Sequence, residues 1–362
     1  MVHEAPAKSV APWMLYGATG VTGGLILAEA LRRGHRPLVA GRDAVSVRTL
    51  ADRHGLEALV FDLLDPIHAR QACGRVNLVL HAAGPYGMTG MPIVEACLDT
   101  RTSYVDVSGE VPHLLAVGDL DERAQRAGVA LLTGAGFGVT FADCLASHMK
   151  ERLPDATFLR LSISPSNDIR SPAARISMLA ALAGGSIEVR NGRFLDTKLA
   201  RTLWRDPERR DVHYVQARMA DVVAAYRTTG IPNILGGVAM PVTAAWILRL
   251  GGPIVSMAAK GALRKGSAAK SREPTKTVGI DTPPSISRLC AEASNAAGEK
   301  ALSFLETGEG YRMAAAAAVR SVERVLRDKL TGSFTPGKAF GADFALELPL
   351  TRRIDISKES AS

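Results

Sequence analysis

The sequence predicts an α/β fold: an amino-terminal doubly wound parallel sheet of the Rossmann type, followed by a second α+β domain. Three observations carry this. Short apolar runs alternate with helical patterns through residues 1–134, glycines stand at the first strand-to-helix junction, and the regular alternation stops near Leu153.

Trp13 to Tyr16 read as a short buried strand, and Val21 to Arg33 as a helix closed by Gly34. The junction between them is Gly17-Ala18-Thr19-Gly20-Val21-Thr22-Gly23. A phosphate needs backbone N–H donors that it can approach with no Cβ in the way, and a helix N-terminus supplies both the donors and a favourable dipole. The G-x-x-G-x-x-G spacing departs from G-x-G-x-x-G, yet it keeps glycine at the turn, at the point of approach and at the helix packing point. The stretch is therefore a candidate dinucleotide cradle.

A second strand, Pro37 to Ala40, ends in Gly41-Arg42-Asp43, where the chain should reach the adenosine ribose. A carboxylate there accepts from a ribose 2′-hydroxyl, whereas a guanidinium pairs with a 2′-phosphate. Arg42 holds the strand end and Asp43 stands one step on, in position to cap the next helix, which favours NADP(H) over NAD(H). Further strands are predicted at Ala58 to Asp62, Asn77 to Ala83, Ser103 to Ser108 and Val129 to Thr133, with helices between them. Asp62 is a candidate for the adenine edge, with a loop or capping acid as the competing role. Ala83, Gly84 and Pro85 are small enough to let the ribose and nicotinamide pass close to backbone.

Tyr86, Tyr104, Asp106 and Glu110 lie at or just past strand ends, where an acceptor substrate should sit. Tyr104 and Asp106 share one strand face because side chains repeat every two residues. Each of the four is a candidate to donate a proton or hold the substrate, Tyr86 first and Asp106 second; helix capping is the competing role for Asp106 and Glu110. Other chemistries lose support by absence. The chain has no Tyr-x-x-x-Lys pair, no G-x-S-x-G elbow, no H-E-x-x-H and no paired Cys/His spacing, so no metal site is expected.

Gly84-Pro85-Tyr86, Val94-Glu95-Ala96-Cys97-Leu98, Tyr104-Val105-Asp106-Val107-Ser108-Gly109-Glu110 and Gly134-Ala135-Gly136-Phe137 closely resemble the saccharopine dehydrogenase-like oxidoreductases, a group that includes saccharopine reductases and trans-acting enoyl reductases. The resemblance is dense over residues 14–145 and resumes weakly near Glu309-Gly310-Tyr311 and from Thr335-Pro336 to Phe344. It implies an NADP(H)-dependent oxidoreductase reducing a C=C (enoyl) or C=N bond, with a small-molecule or lipid-like substrate. Relatives often continue Gly-Phe with Asp-Ser/Val-Val-Pro-Ser/Thr-Asp; this chain reads Phe137-Gly138-Val139-Thr140-Phe141-Ala142-Asp143 and keeps only the last acid. The alternative from another class is a non-catalytic NADP(H)-binding sensor or partner-docking protein.

The remaining expectations concern organisation. A substrate or dimerisation domain is expected over residues 135–330, and a segment over 331–362 that returns toward the first domain. Within the second domain, Thr157 to Ser164, Ser186 to Leu195 and Val212 to Ala217 read as strands and Arg175 to Ala183 as a helix, with Arg170 and Arg175 candidates for a substrate anion. Gly310 to Lys329 reads as a long alanine-rich helix, and Gly332 to Ala339 as a turn that nearly spells a P-loop but has Ala339 where the magnesium-binding hydroxyl belongs. Residues 231–276 pair the most hydrophobic stretch with a run of basic residues; the readings weighed are a peripheral contact with anionic lipid, a homodimer surface and a lid. At 362 residues and 47% apolar the chain can bury a sizeable core. Its net charge of +8 is spread out and aromatics are only 5%, which suits small anions or an anionic surface better than nucleic acid. Four unclustered cysteines and no apolar run in the first dozen residues give a cytoplasmic expectation, with membrane association through 231–276 as its variant.

Overall fold

The structure, a computed structural model, describes residues 13–166, 184–269 and 286–359. The amino-terminal half is a β-α alternation: β1 (Trp13–Tyr16), α1 (Val21–Arg32), β2 (Leu38–Gly41), α2 (Ala44–His54), β3 (Ala58–Val60), α3 (Pro66–Cys73), β4 (Leu78–His81), α4 (Tyr86–Thr100), β5 (Ser103–Asp106), α5 (Val111–Gly118), α6 (Asp121–Ala127) and β6 (Ala130–Leu132). The strands pair in parallel in the order β6-β5-β4-β1-β2-β3. Strand alternation explains why helices cover both faces. Trp13 and Leu15 pack with Ile26, Leu27, Val47 and Ala51 on one side. Met14 and Tyr16 pack with Ala69, Ile93, Val94 and Cys97 on the other.

α7 (Phe137–Arg152) leads into a second sheet made of β7 (Phe158–Ser164), β8 (Ser186–Arg190), β9 (Arg193–Thr197), β10 (Leu203–Arg205), β11 (Val212–Gln216), β12 (Ile234–Pro241), β13 (Ser287–Ser294), β14 (Lys300–Thr307) and β16 (Arg352–Glu359). Its pairings are antiparallel except for β7 with β12. α7 and α8 (Ala220–Thr229) bury their apolar sides against Leu159, Leu161, Ile163 and Ile234 of this sheet.

Four sequence expectations are corrected here. Ser186 to Leu195 is a hairpin and not one strand: Asn191 and Gly192 both take positive φ, at 48° and 73°, the pair of conformations that a tight two-residue reversal requires. Residues 231–276 do not form one unit. Ile234–Pro241 is a sheet strand with partners on both sides, and only Val242–Ala269 forms the helix α9. The alanine-rich helix α10 (Gly310–Asp328), assigned to the second domain, contributes to both cores: Ala315, Ala318, Val319 and Val322 to the first sheet, Met313, Ala316 and Ala317 to the second. The P-loop look-alike is strand and helix, not turn. β15 (Gly332–Phe334) adds a seventh strand in parallel on β6, and α11 (Pro336–Phe340) starts on a proline suited to a first helical turn. The carboxyl-terminal segment therefore divides, β15 joining the first sheet and β16 the second. Arg170, Arg175, the helix expected over Arg175 to Ala183, and the basic residues Lys270, Arg272 and Lys276 lie outside the described residues. No described helix is long and apolar enough to cross a membrane.

Candidate active site

The carboxyl ends of β1, β2, β4, β5 and β6 form one edge of the parallel sheet, the edge at which doubly wound folds bind ligands. At β1 the three glycines do different jobs. Gly17 has φ +91°, and a Cβ there would lie 2.8 Å from the Ala83 Cβ. A Cβ on Gly23 would lie 2.0 Å from the Gly17 carbonyl oxygen, so α1 could not start so close to the strand with any other residue. Gly20 is the exposed N-cap of α1 with no side-chain cap, and a Cβ there would reach nothing nearer than 3.4 Å. The first-turn N–H groups near Val21, Thr22 and Gly23 are therefore open to an anion. Ala18 is buried beneath the turn and Thr19 is exposed above it.

Beyond β2, the Asp43 carboxylate accepts from the Ser46 N–H at 2.7 Å and caps α2. Arg42 is exposed just past Gly41 and has no ion-pair partner among the described residues. Asp62, exposed after β3, accepts from the Leu64 N–H at 3.0 Å in a local turn. After β4, Ala83 is half-buried and Gly84 and Pro85 are exposed, joined by a cis peptide. The Thr89 hydroxyl donates to the Ala83 carbonyl at 2.7 Å and fixes this loop on α4.

The four residues expected to meet the substrate lie together but beneath that edge. The Tyr86 ring is buried and its hydroxyl donates to the His81 carbonyl at 3.1 Å. Tyr104 is fully buried; its hydroxyl lies 3.1 Å from His81 Nδ1, while His81 Nε2 donates to the Ala83 carbonyl at 3.1 Å. Burial drives the His81 imidazole down to about 4, so it is neutral at physiological pH, and pushes both tyrosine hydroxyls well above their ordinary range. Asp106 is fully buried too. Burial alone would raise its carboxyl. The His113 ring N–H at 2.7 Å, the Gly134 and Ser108 N–H groups at 2.9 and 2.8 Å, and the Thr133 hydroxyl at 3.0 Å overcome that and hold it low. Glu110 accepts from the Tyr86 and Gly87 N–H groups at 2.8 and 2.9 Å, capping α4 from the neighbouring loop. In this arrangement Tyr86, Tyr104, Asp106 and Glu110 position the loops that form the edge.

Sequence reasoning passed over His113 and Asp221 here and gave Asp143, noted only as a retained acid, no role. His113 orients Asp106 from one turn into α5, and no local pattern marks it. Asp143, buried on α7, accepts from the Gly337 N–H at 2.7 Å and ties α11 to α7. Asp221, in the first turn of α8, places its carboxyl against Gly138 in the first turn of α7. Its only sequence signal is an acid at the head of the apolar run Val222-Val223-Ala224-Ala225.

Comparison with known proteins agrees with this geometry. Residues 13–132 match the family described as saccharopine dehydrogenase NADP binding domain. The chain is 33% identical over 158 residues to the trans-acting enoyl reductase of Mycobacterium leprae (strain TN), covering 41% of this chain and 38% of that protein. It is 25% identical over 177 residues to the saccharopine dehydrogenase-like oxidoreductase of Bos taurus, 42% of this chain and 41% of that one. These matches span less than half of either relative's length. Among solved structures, apo saccharopine dehydrogenase (L-Glu forming) from Saccharomyces cerevisiae superposes with a TM-score of 0.64 over 96% of this chain and 100% of that one, at 14% identity, which shows the shared fold.

Proposed function

We propose that this chain, whose residues 13–132 belong to the saccharopine dehydrogenase NADP-binding domain family, is an NADP(H)-dependent oxidoreductase that reduces a C=C or C=N bond of a small-molecule or lipid-like acceptor. The observation that carries this reading is the cradle. Two glycine positions that no side chain could occupy hold an uncapped helix N-terminus near a guanidinium unpaired among the described residues, which suits a pyrophosphate with a further phosphate on the ribose.

The N–H groups of the Gly17–Gly23 turn would receive the pyrophosphate and Arg42 the 2′-phosphate, with Asp62 beside the adenine and Ala83, Gly84 and Pro85 along the path to the nicotinamide. When bound, NADPH supplies a hydride. The chain's own residues hold the acceptor, keep water out and deliver a proton. Buried Asp106 and its donors fix the β5, β6 and α5 loops, and Glu110 fixes the head of α4, so the floor of the site is rigid before anything binds.

Calorimetric titration tests the reading. The wild-type chain is expected to prefer NADPH over NADH, and Arg42→Ala to lose roughly 10- to 100-fold in NADPH affinity, about 1.4–2.8 kcal/mol, with NADH binding unchanged. Absence of heat with NADPH, or unchanged discrimination in the variant, refutes it. Incubation with an enoyl thioester and with a cyclic imine then separates catalyst from sensor, because only a catalyst consumes NADPH.

A peripheral membrane contact through α9 is supported by its surface. Ala245 and Leu248 pack on Leu199, Ala200 and Val215, while Trp246, Ile247, Leu250 and Met257 are exposed, Leu250 by 84%. Trp246 also borders a cleft lined by Arg201, Arg205 and Arg249. Apolar and basic groups side by side suit the interface of an anionic bilayer. The wild-type chain is expected to sediment with phosphatidylglycerol vesicles and Leu250→Asp to stay behind; a wild-type chain that stays in the supernatant removes the contact.

A further inference from the structure

Asp221 is a buried acid that the cofactor cradle does not use. Only 5% of its surface is exposed, and its Oδ2 has no hydrogen-bond partner among the described residues. Its two carboxyl oxygens lie 3.3 and 3.7 Å from the point where a Cβ on Gly138 would stand, so the missing side chain leaves the space that the carboxyl fills. Gly138 is in the first turn of α7, whose N-cap, Gly136, supplies no side-chain cap. α7 leaves the carboxyl end of β6, which places this turn on the same sheet edge as the Gly17–Gly23 cradle and the Ala83–Pro85 loop. Gly136 packs on the Val107 carbonyl, one residue past β5, and Phe137 and Gly138 are half-buried, so the turn keeps an open side. An acid brought by the second domain to the ligand edge of the first is where a substrate held between the two would meet it.

We propose that Asp221 is the catalytic acid of the reduction, giving its proton to the acceptor atom next to the one that receives the hydride. This rests on the oxidoreductase reading above. The acceptor double bond is reduced by two electrons: one end gains a hydride from the reduced nicotinamide, the other gains the Asp221 proton. The carboxylate left behind takes a proton from water.

The surroundings suit that role. Burial pushes the carboxyl up to about 7, and Asp143 on α7 adds to the rise. Charged groups on the other elements packed against α8 are engaged elsewhere. His113 is bound by Asp106, Lys338 donates to the Ser333 carbonyl, Glu188 accepts from Arg190 and Gln216, and on α7 His148 and Arg152 pair with Asp355; Arg227, on α8 itself, binds Asp119. Among the described residues no cation draws Asp221 back to the ordinary carboxylate range.

Infrared difference spectroscopy on the full chain, with and without NADPH, tests the placement and the protonation together. The wild-type chain is expected to show a carboxylic acid band that Asp221→Asn lacks, that titrates away with a midpoint near pH 7, and that shifts when NADPH binds. In turnover with the enoyl thioester and the cyclic imine, Asp221→Asn is expected to lose about a hundredfold in kcat, with the fall in rate above pH 7 abolished and NADPH affinity unchanged. A band that NADPH leaves unmoved while calorimetry shows NADPH bound overturns the proposal, as does a variant that keeps kcat and its pH profile. A wild-type chain that gives no heat with NADPH overturns the oxidoreductase reading instead.

Discussion

Two buried aspartates at the same sheet edge stand in opposite states. Asp106, in the amino-terminal domain, is surrounded by a ring N–H, two backbone N–H groups and a hydroxyl, and its carboxyl is held low. Asp221, in the second domain, has an oxygen with no partner among the described residues and a carboxyl pushed up to about 7. Both are nearly inaccessible to water, so burial does not separate them; the number of donors aimed at each carboxyl does. The first is held as an anion. The second is held protonated up to about pH 7.

Replacing the better-bonded acid should break the contrast most severely. Asp106→Asn removes the charge that four donors converge on and leaves buried N–H groups facing an amide; the expected loss is about 3–5 kcal/mol in denaturant unfolding, with NADPH binding lost alongside. A loss below about 1 kcal/mol would mean that the donors find other partners. The second substitution acts in the opposite direction. In the unfolded chain Asp221 ionises in the ordinary carboxylate range, whereas in the fold it stays protonated up to about pH 7. The folded state therefore loses ground as pH rises between these values, and the penalty is constant above them. Asp221→Asn should escape it, becoming more stable than wild type by an amount that grows from pH 4 to pH 7, to roughly 1–3 kcal/mol. A difference that does not change with pH would place the Asp221 carboxyl with the ordinary acids. The mildest change is Tyr86→Phe, which removes one neutral hydrogen bond to the His81 carbonyl; about 1 kcal/mol is expected, with NADPH binding intact. A large loss of turnover with stability preserved would instead return the Tyr86 hydroxyl to the chemistry.

The first domain was legible because β1, β2, β4, β5 and β6 are short, largely apolar and buried, and because the spacing of Gly17, Gly20 and Gly23 and the charge of Arg42 can be read directly from the chain. The direction of a side chain at a strand end was not legible. Tyr86 sits where a proton donor would, yet its hydroxyl turns back under the loop to His81, a choice made by packing against the His81 ring 4.9 Å away. Asp221 escaped for a different reason. Its meaning depends on Gly138, which is remote in sequence, and on a helix pairing that neither helix advertises. The Asn191-Gly192 reversal could have been found, since that dipeptide, here between Arg190 and Arg193, is a strong local signal.

Helix α10 binds the two halves of the molecule into one. Its consecutive alanines 315–318 point around the helix into both interiors, and small side chains let the two packed bodies approach the same axis closely. Neither body can melt while the other keeps this helix in place. Calorimetric unfolding should accordingly show one shared endotherm, and a closing motion between the halves must pivot about α10 rather than pull it from either side.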